Sequence, residues 1–131
     1  MNWQDSDFAS FDDVFSPTID TNNCVPAFKV DVMNPAFWRK VQKLAYMVDS
    51  IKVNSAFRTP AWEYSRHRSG NSQHCKGLAV DISCLTNEYR YRLVDAAIKL
   101  DFHRILIYPR FVHLDDKEQG SKREIIWMNN Q

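Results

Sequence analysis

Between Gly77 and Leu85 the chain reads Leu78-Ala79-Val80-Asp81-Ile82-Ser83-Cys84, an apolar run of strand length with one carboxylate inside it. A run of this kind fits a buried strand. His74 stands seven positions before Asp81, across a turn at Gly77, and the downstream stretch Phe111-Val112-His113-Leu114-Asp115 offers a second imidazole. Two histidines and one carboxylate suffice as donors for a catalytic Zn²⁺ with one coordination position left open. Such an ion brings the pKa of water toward ~7 and polarises a carbonyl. Gly77 allows a tight backbone turn, and Ala79 keeps the wall beside the site small. Composition alone does not establish a metal site, because two His and one Asp in 131 residues are more often unrelated than ligands.

The surrounding pattern predicts an α+β domain: a small, mostly antiparallel sheet with helices packed on one side. Asn34-Pro35 is a good helix opening, an N-cap followed by proline at the first helical position. Phe37, Val41, Leu44, Ala45 and Val48 then recur at helical spacing. Ile51, Val53 and Ser55 to Phe57 read as a strand ended by Arg58-Thr59-Pro60, and Pro60 opens a short helix through Arg66. Thr86 caps a further helix whose Leu93, Ala97 and Leu100 share a face. Strands are predicted at Ile105–Tyr108, Phe111–Asp115 and Glu124–Trp127.

Charge is divided unevenly along the chain. Residues 1–28 hold five Asp and no Lys or Arg, whereas residues 29–131 hold 17 basic against 11 acidic residues, a surplus of six. The first part reads as an acidic accessory arm whose Trp3, Phe8, Phe11 and Phe15 dock on the body, and residues 29–131 as the domain proper. A basic body suits an anionic partner: nucleic acid, cell wall or membrane surface. No stretch of ~18 apolar residues occurs, so no helical membrane span is expected. MNWQDSDFAS lacks the cationic start and apolar run of a signal peptide, which predicts a product that is cytoplasmic when made. Cys24, Cys75 and Cys84 are odd in number and form no Cys-x-x-Cys pair, so they read as free thiols of a reducing compartment.

Ser72-x-His74-x-x-Gly77-x-Ala79-x-Asp81, followed about thirty residues later by Tyr108-Pro109-x-Phe111-Val112-His113-x-Asp115, resembles the zinc D-alanyl-D-alanine carboxypeptidase family. That family also contains phage L-alanyl-D-glutamate endopeptidases and shares its fold with the hedgehog signalling domain. Ser55-Ala56-Phe57-Arg58-Thr59-Pro60 is similar to the family's Ser-Gly-Tyr-Arg-Thr-Pro segment, and the likeness runs over residues 34–127. It implies one Zn²⁺ per chain held by His74, Asp81 and His113. It also implies that Arg58 holds a substrate carboxylate or the developing oxyanion, and that Ser72 lines the substrate cleft. Guanidinium suits both tasks through paired, charge-assisted hydrogen bonds.

The sequence departs from this pattern at one position. Many members carry an acidic general base three residues before the second ligand histidine, and here that residue is Arg110, which cannot accept a proton. Asp115 shares a strand face with His113 and is either the base or a carboxylate that orients a ligand imidazole. His67 and His103 are weaker candidates. Arg66, His67 and Arg68 read as a solvated loop, with Trp62 and Tyr64 beside them as groove-lining aromatics, and Tyr89 to Arg92 do not form a stacking platform. The resemblance implies a metallopeptidase cutting D-amino-acid-containing bonds of bacterial peptidoglycan, as a D,D-carboxypeptidase or L,D-endopeptidase. It would act as a phage-type lytic or virion protein reaching the wall at lysis or from the particle. The alternative is a non-catalytic zinc-binding module of the same fold, such as a phage structural protein. Nucleic acid is not expected as the partner.

Overall fold

The computed structural model describes residues 18–21, 24, 32–117 and 123–128. Trp3, Phe8, Phe11 and Phe15 of the acidic stretch lie outside the described residues. In chain order the elements are β1 (Thr18–Asp20), α1 (Pro35–Met47), β2 (Ser50–Ser55), α2 (Pro60–Ser65), a 3-10 turn (Gln73–Lys76), β3 (Ala79–Ser83), α3 (Asn87–Lys99), β4 (Arg104–Ile107), β5 (Phe111–Asp115) and β6 (Glu124–Trp127).

Each helix starts where a side chain can satisfy its free N–H groups. The Asn34 carboxamide oxygen accepts from the Phe37 amide at 3.0 Å, and Pro35 follows at the first position. Thr59 caps α2 by accepting from Trp62, and Thr86 caps α3 by accepting from Tyr89, each at 3.1 Å. The apolar stripe of α1 (Phe37, Trp38, Val41, Leu44, Ala45) and that of α3 (Leu93, Ala96, Ala97) are buried in one cluster with Val80, Ile82, Val112, Leu114 and Ile105 of the sheet.

Among the described residues the sheet has six strands in the order β1-β2-β3-β5-β4-β6. It is mixed, not small and mostly antiparallel as the sequence pattern predicts. The inner pairs β2–β3, β3–β5 and β5–β4 are antiparallel, while both outer pairs, β1–β2 and β4–β6, are parallel. At one edge α1 provides the crossover that any parallel pair requires. At the other, β6 lies beyond β4 and runs alongside it in the same direction. Thr18–Asp20, inside the stretch read as an arm, is itself the edge strand β1. The three cysteines are free thiols.

Gly77 closes the 3-10 turn with φ +69°, and its carbonyl accepts from the Asn34 amide at 3.0 Å. A Cβ there would come within 2.6 Å of the Val32 carbonyl oxygen and 2.9 Å of the Asn34 nitrogen. Gly70, at φ +71°, would meet only the ring of the exposed Tyr64. Gly77→Ala should therefore cost about 2–3 kcal/mol in urea unfolding, combining left-handed strain with a backbone clash. Gly70→Ala should cost about 1 kcal/mol, because the tyrosine can swing aside.

Candidate metal centre

Strand register assembles the site. Asp81 on β3 pairs directly with His113 on β5, and the row continues to Ser55 on β2 and Leu106 on β4. Neighbouring strand residues alternate faces, so Val80, Ile82, Val112 and Leu114 face the helices while Asp81 and His113 face away from them. β2 joins this row through a bulge. Val53 opposes Ile82 but Ser55 opposes Asp81, a shift of one residue that turns Ser55 to the site face.

His74 reaches the same place from the 3-10 turn. Its Nδ1–H donates to the Ala56 carbonyl at 2.6 Å, which leaves Nε2 as the lone-pair nitrogen, 3.4 Å from Asp81 Oδ1. His113 Nδ1 lies 2.8 Å from the same Asp81 oxygen, and its Nε2–H donates to Asp115 Oδ2 at 2.6 Å. One donor atom from each of His74, Asp81 and His113 falls within 4.8 Å of the others, and all three residues are buried. Two convergent imidazoles with their outer nitrogens engaged, together with one carboxylate, fit a divalent transition-metal ion.

The electrostatics match this crowding. Burial would raise the Asp81 carboxyl, but the hydrogen bond from His113 and the nearby His74 imidazole hold it well below the usual carboxylate range. Burial would lower the His113 imidazole, yet hydrogen bonds to Asp115 and Asp81 push it up to about 9 in the metal-free protein.

Asp115 lies behind His113 with no exposed surface. Besides accepting from His113 it accepts from Arg104 Nε at 3.0 Å and Nη2 at 2.7 Å, Arg104 being its cross-strand partner on β4. Arg58, just after β2, donates from Nε to Ser55 Oγ at 2.9 Å and from Nη2 to Asp81 Oδ2 at 3.2 Å. Its Nη1 is 3.6 Å from Glu63 Oε2, which also accepts from Ser72 Oγ at 2.5 Å.

A cleft of about 280 Å³ opens over this row, walled by Arg58, Arg68, Ser72, His74, Asp81, Arg104, Leu106, Tyr108, Phe111 and His113. The Tyr108 and Phe111 rings stack at 4.2 Å. Asp81 is the only carboxylate in this wall among the described residues. Arg110 is exposed in the turn between β4 and β5 and does not line the cleft; neither do His67 and His103.

Two residues of the network escape sequence reasoning. Glu63 is 1% exposed in a six-residue helix too short for a periodic signal, and only its first-turn position hints at a role. Arg104 becomes significant only through its register with Asp115. Burial tends to raise the Glu63 carboxyl, but hydrogen bonds from Ser72 and Cys75 and the charge of Arg58 take it below its ordinary value. A carboxyl whose folded pKa is depressed contributes stability above its unfolded pKa of ~4.3 and loses it as pH falls. Glu63→Gln should thus cost about 1–2 kcal/mol at pH 7 by urea unfolding, with the gap from the native chain closing below pH ~4.

A family model described as Peptidase M15 matches residues 16–115. No curated protein matches the chain significantly. The match covers every element from β1 to β5 and all the residues of the buried His/Asp/His group, which agrees with the resemblance carried by the motifs. The chain belongs to the peptidase M15 family, whose members resemble zinc D-alanyl-D-alanine carboxypeptidases.

Proposed function

We propose that the protein is a zinc metallopeptidase that hydrolyses D-amino-acid-containing peptide bonds of bacterial peptidoglycan, of D,D-carboxypeptidase or L,D-endopeptidase type, in the setting of a phage-type lytic or virion protein. The observation that carries this reading is the convergence of His74 Nε2, Asp81 Oδ1 and His113 Nδ1 at the floor of an open cleft. Each imidazole is held from behind by an acceptor, Ala56 O or Asp115. A zinc ion bound there supplies Lewis acidity toward a peptide carbonyl and toward water.

The chain's own residues divide the remaining work. Asp115, fixed by Arg104, orients His113 and keeps Nδ1 turned inward, so it is a positioning residue and not the base. Arg58 is anchored by Ser55 and Asp81 and points its remaining N–H groups into the cleft, where they stabilise charge developing on the scissile carbonyl oxygen. Ser72 spends its proton on Glu63 and presents lone pairs to a substrate N–H. The basic surplus of residues 29–131 suits the anionic wall. Residues 1–28 act as an accessory arm attached through β1, and residues 29–131 as the peptidase domain.

One observation favours a second reading, a zinc-binding module without turnover. The cleft has no uncommitted carboxylate among the described residues, and Arg110 occupies the position where a base is expected.

Mass spectrometry of purified peptidoglycan and defined wall peptides, incubated with zinc-loaded protein, separates these readings. New amino termini that vanish on chelation and return with zinc are expected. One bound zinc per chain without any product would select the module instead, and full activity after complete zinc removal would overturn both. His74→Ala should abolish cleavage in a folded chain. Asp115→Asn should weaken zinc binding by about 10- to 100-fold in a competition titration, because the imidazole loses its orienting carboxylate.

A further inference from the structure

Among the described residues three guanidinium groups line the cleft, and two of them already have carboxylate partners. Arg104 is taken up by Asp115, and Arg58 by Ser55, Asp81 and Glu63. Arg68 is exposed at the cleft wall and has no carboxylate partner among the described residues. It belongs to the Arg66-His67-Arg68 run that sequence alone assigns to a solvated loop.

The loop is not loosely placed. The Arg66 and Arg68 amides both donate to the Glu63 carbonyl, at 3.0 and 2.9 Å, and His67 between them takes the left-handed conformation at φ +59°. The Arg68 guanidinium lies 5.4 Å from the centre of the Trp62 ring, which also carries Arg58 at 5.3 Å. The two guanidinium groups are therefore no more than about 11 Å apart, within the span of three extended residues. A planar fork preset against an indole loses little freedom on binding and suits a carboxylate through two parallel N–H···O bonds.

We infer that Arg68 is the carboxylate-binding residue of the cleft, receiving a free substrate carboxylate that flanks the scissile bond while Arg58 serves the carbonyl oxygen. This rests on the hydrolase reading and narrows its substrates to anionic peptides. In a wall peptide the carboxylate has two sources, the chain terminus and the free α-carboxylate of a γ-linked D-glutamate.

The test uses the zinc-loaded full chain and three peptides: one unmodified, one with the terminus amidated, and one with the glutamate α-carboxylate amidated. For the native protein, one amidation should lower kcat/KM by about 10- to 100-fold, the worth of a charge-assisted hydrogen-bonded pair, and thereby identify the source. In Arg68→Gln, kcat/KM on the unmodified peptide should fall by a similar factor and the penalty for that amidation should disappear. Arg68→Lys should keep part of it. Zinc content and unfolding midpoint of the variants show that the fold is intact. An amidation penalty that persists in Arg68→Gln, or native-like kcat/KM for that variant on all three peptides, overturns the inference and leaves the hydrolase reading standing. Failure of the native chain to cleave any wall substrate overturns the hydrolase reading and the inference with it.

Discussion

Asp81 is the group on which the rest of the site depends. Its Oδ1 meets His74 and His113, and its Oδ2 meets Arg58. A lone carboxylate placed in a buried strand would be costly, since burial without partners disfavours the charged form. Here three cationic or hydrogen-bonding groups from three separate segments converge on it. The 3-10 turn, the end of β2 and strand β5 are thus held in place by one side chain, and a site on rigid strands is more sharply defined than one built on loops.

The charges form an ordered series across the sheet face. Arg104, Asp115, His113, Asp81, Arg58 and Glu63 follow one another, with Asp115 and Asp81 each between two basic or protonatable neighbours. Each neighbour both stabilises and orients the next, so removing an interior member leaves an uncompensated buried charge, the expensive case. The series also separates tasks. Groups at its middle face the cleft, whereas Asp115 and Glu63 lie behind it and act through the residues they hold.

Local chemistry was legible in the sequence and long-range pairing was not. Asn34-Pro35, Thr59-Pro60 and Thr86 mark the helix starts among the described residues because a cap is satisfied within three residues. The strand expected to reach Phe57 ends at Ser55, where the bulge breaks the alternation that periodicity relies on. Thr18–Asp20 is too short to announce itself, and with it went the parallel edge pairing. His74, Asp81 and His113 could be picked out by residue type and spacing, but their meeting depends on β3–β5 register, as Arg104 depends on β4–β5 register. Arg68 looked like an ordinary solvated charge because its exposure is real, and only the cleft beside it changes its meaning.

The direct pairing of Asp81 with His113 has a consequence for how the molecule is made. The two residues are 32 positions apart and separated by the whole of α3, so they come together only when the non-local β3–β5 contact closes. A slip of one residue between these strands would leave Asp81 and His113 on opposite faces of the sheet and turn one strand's apolar side chains away from the core. An ion that requires both donors therefore recognises a single alignment of these strands. Present during folding, it would act as a proofreader of the sheet, rewarding the correct register and no other.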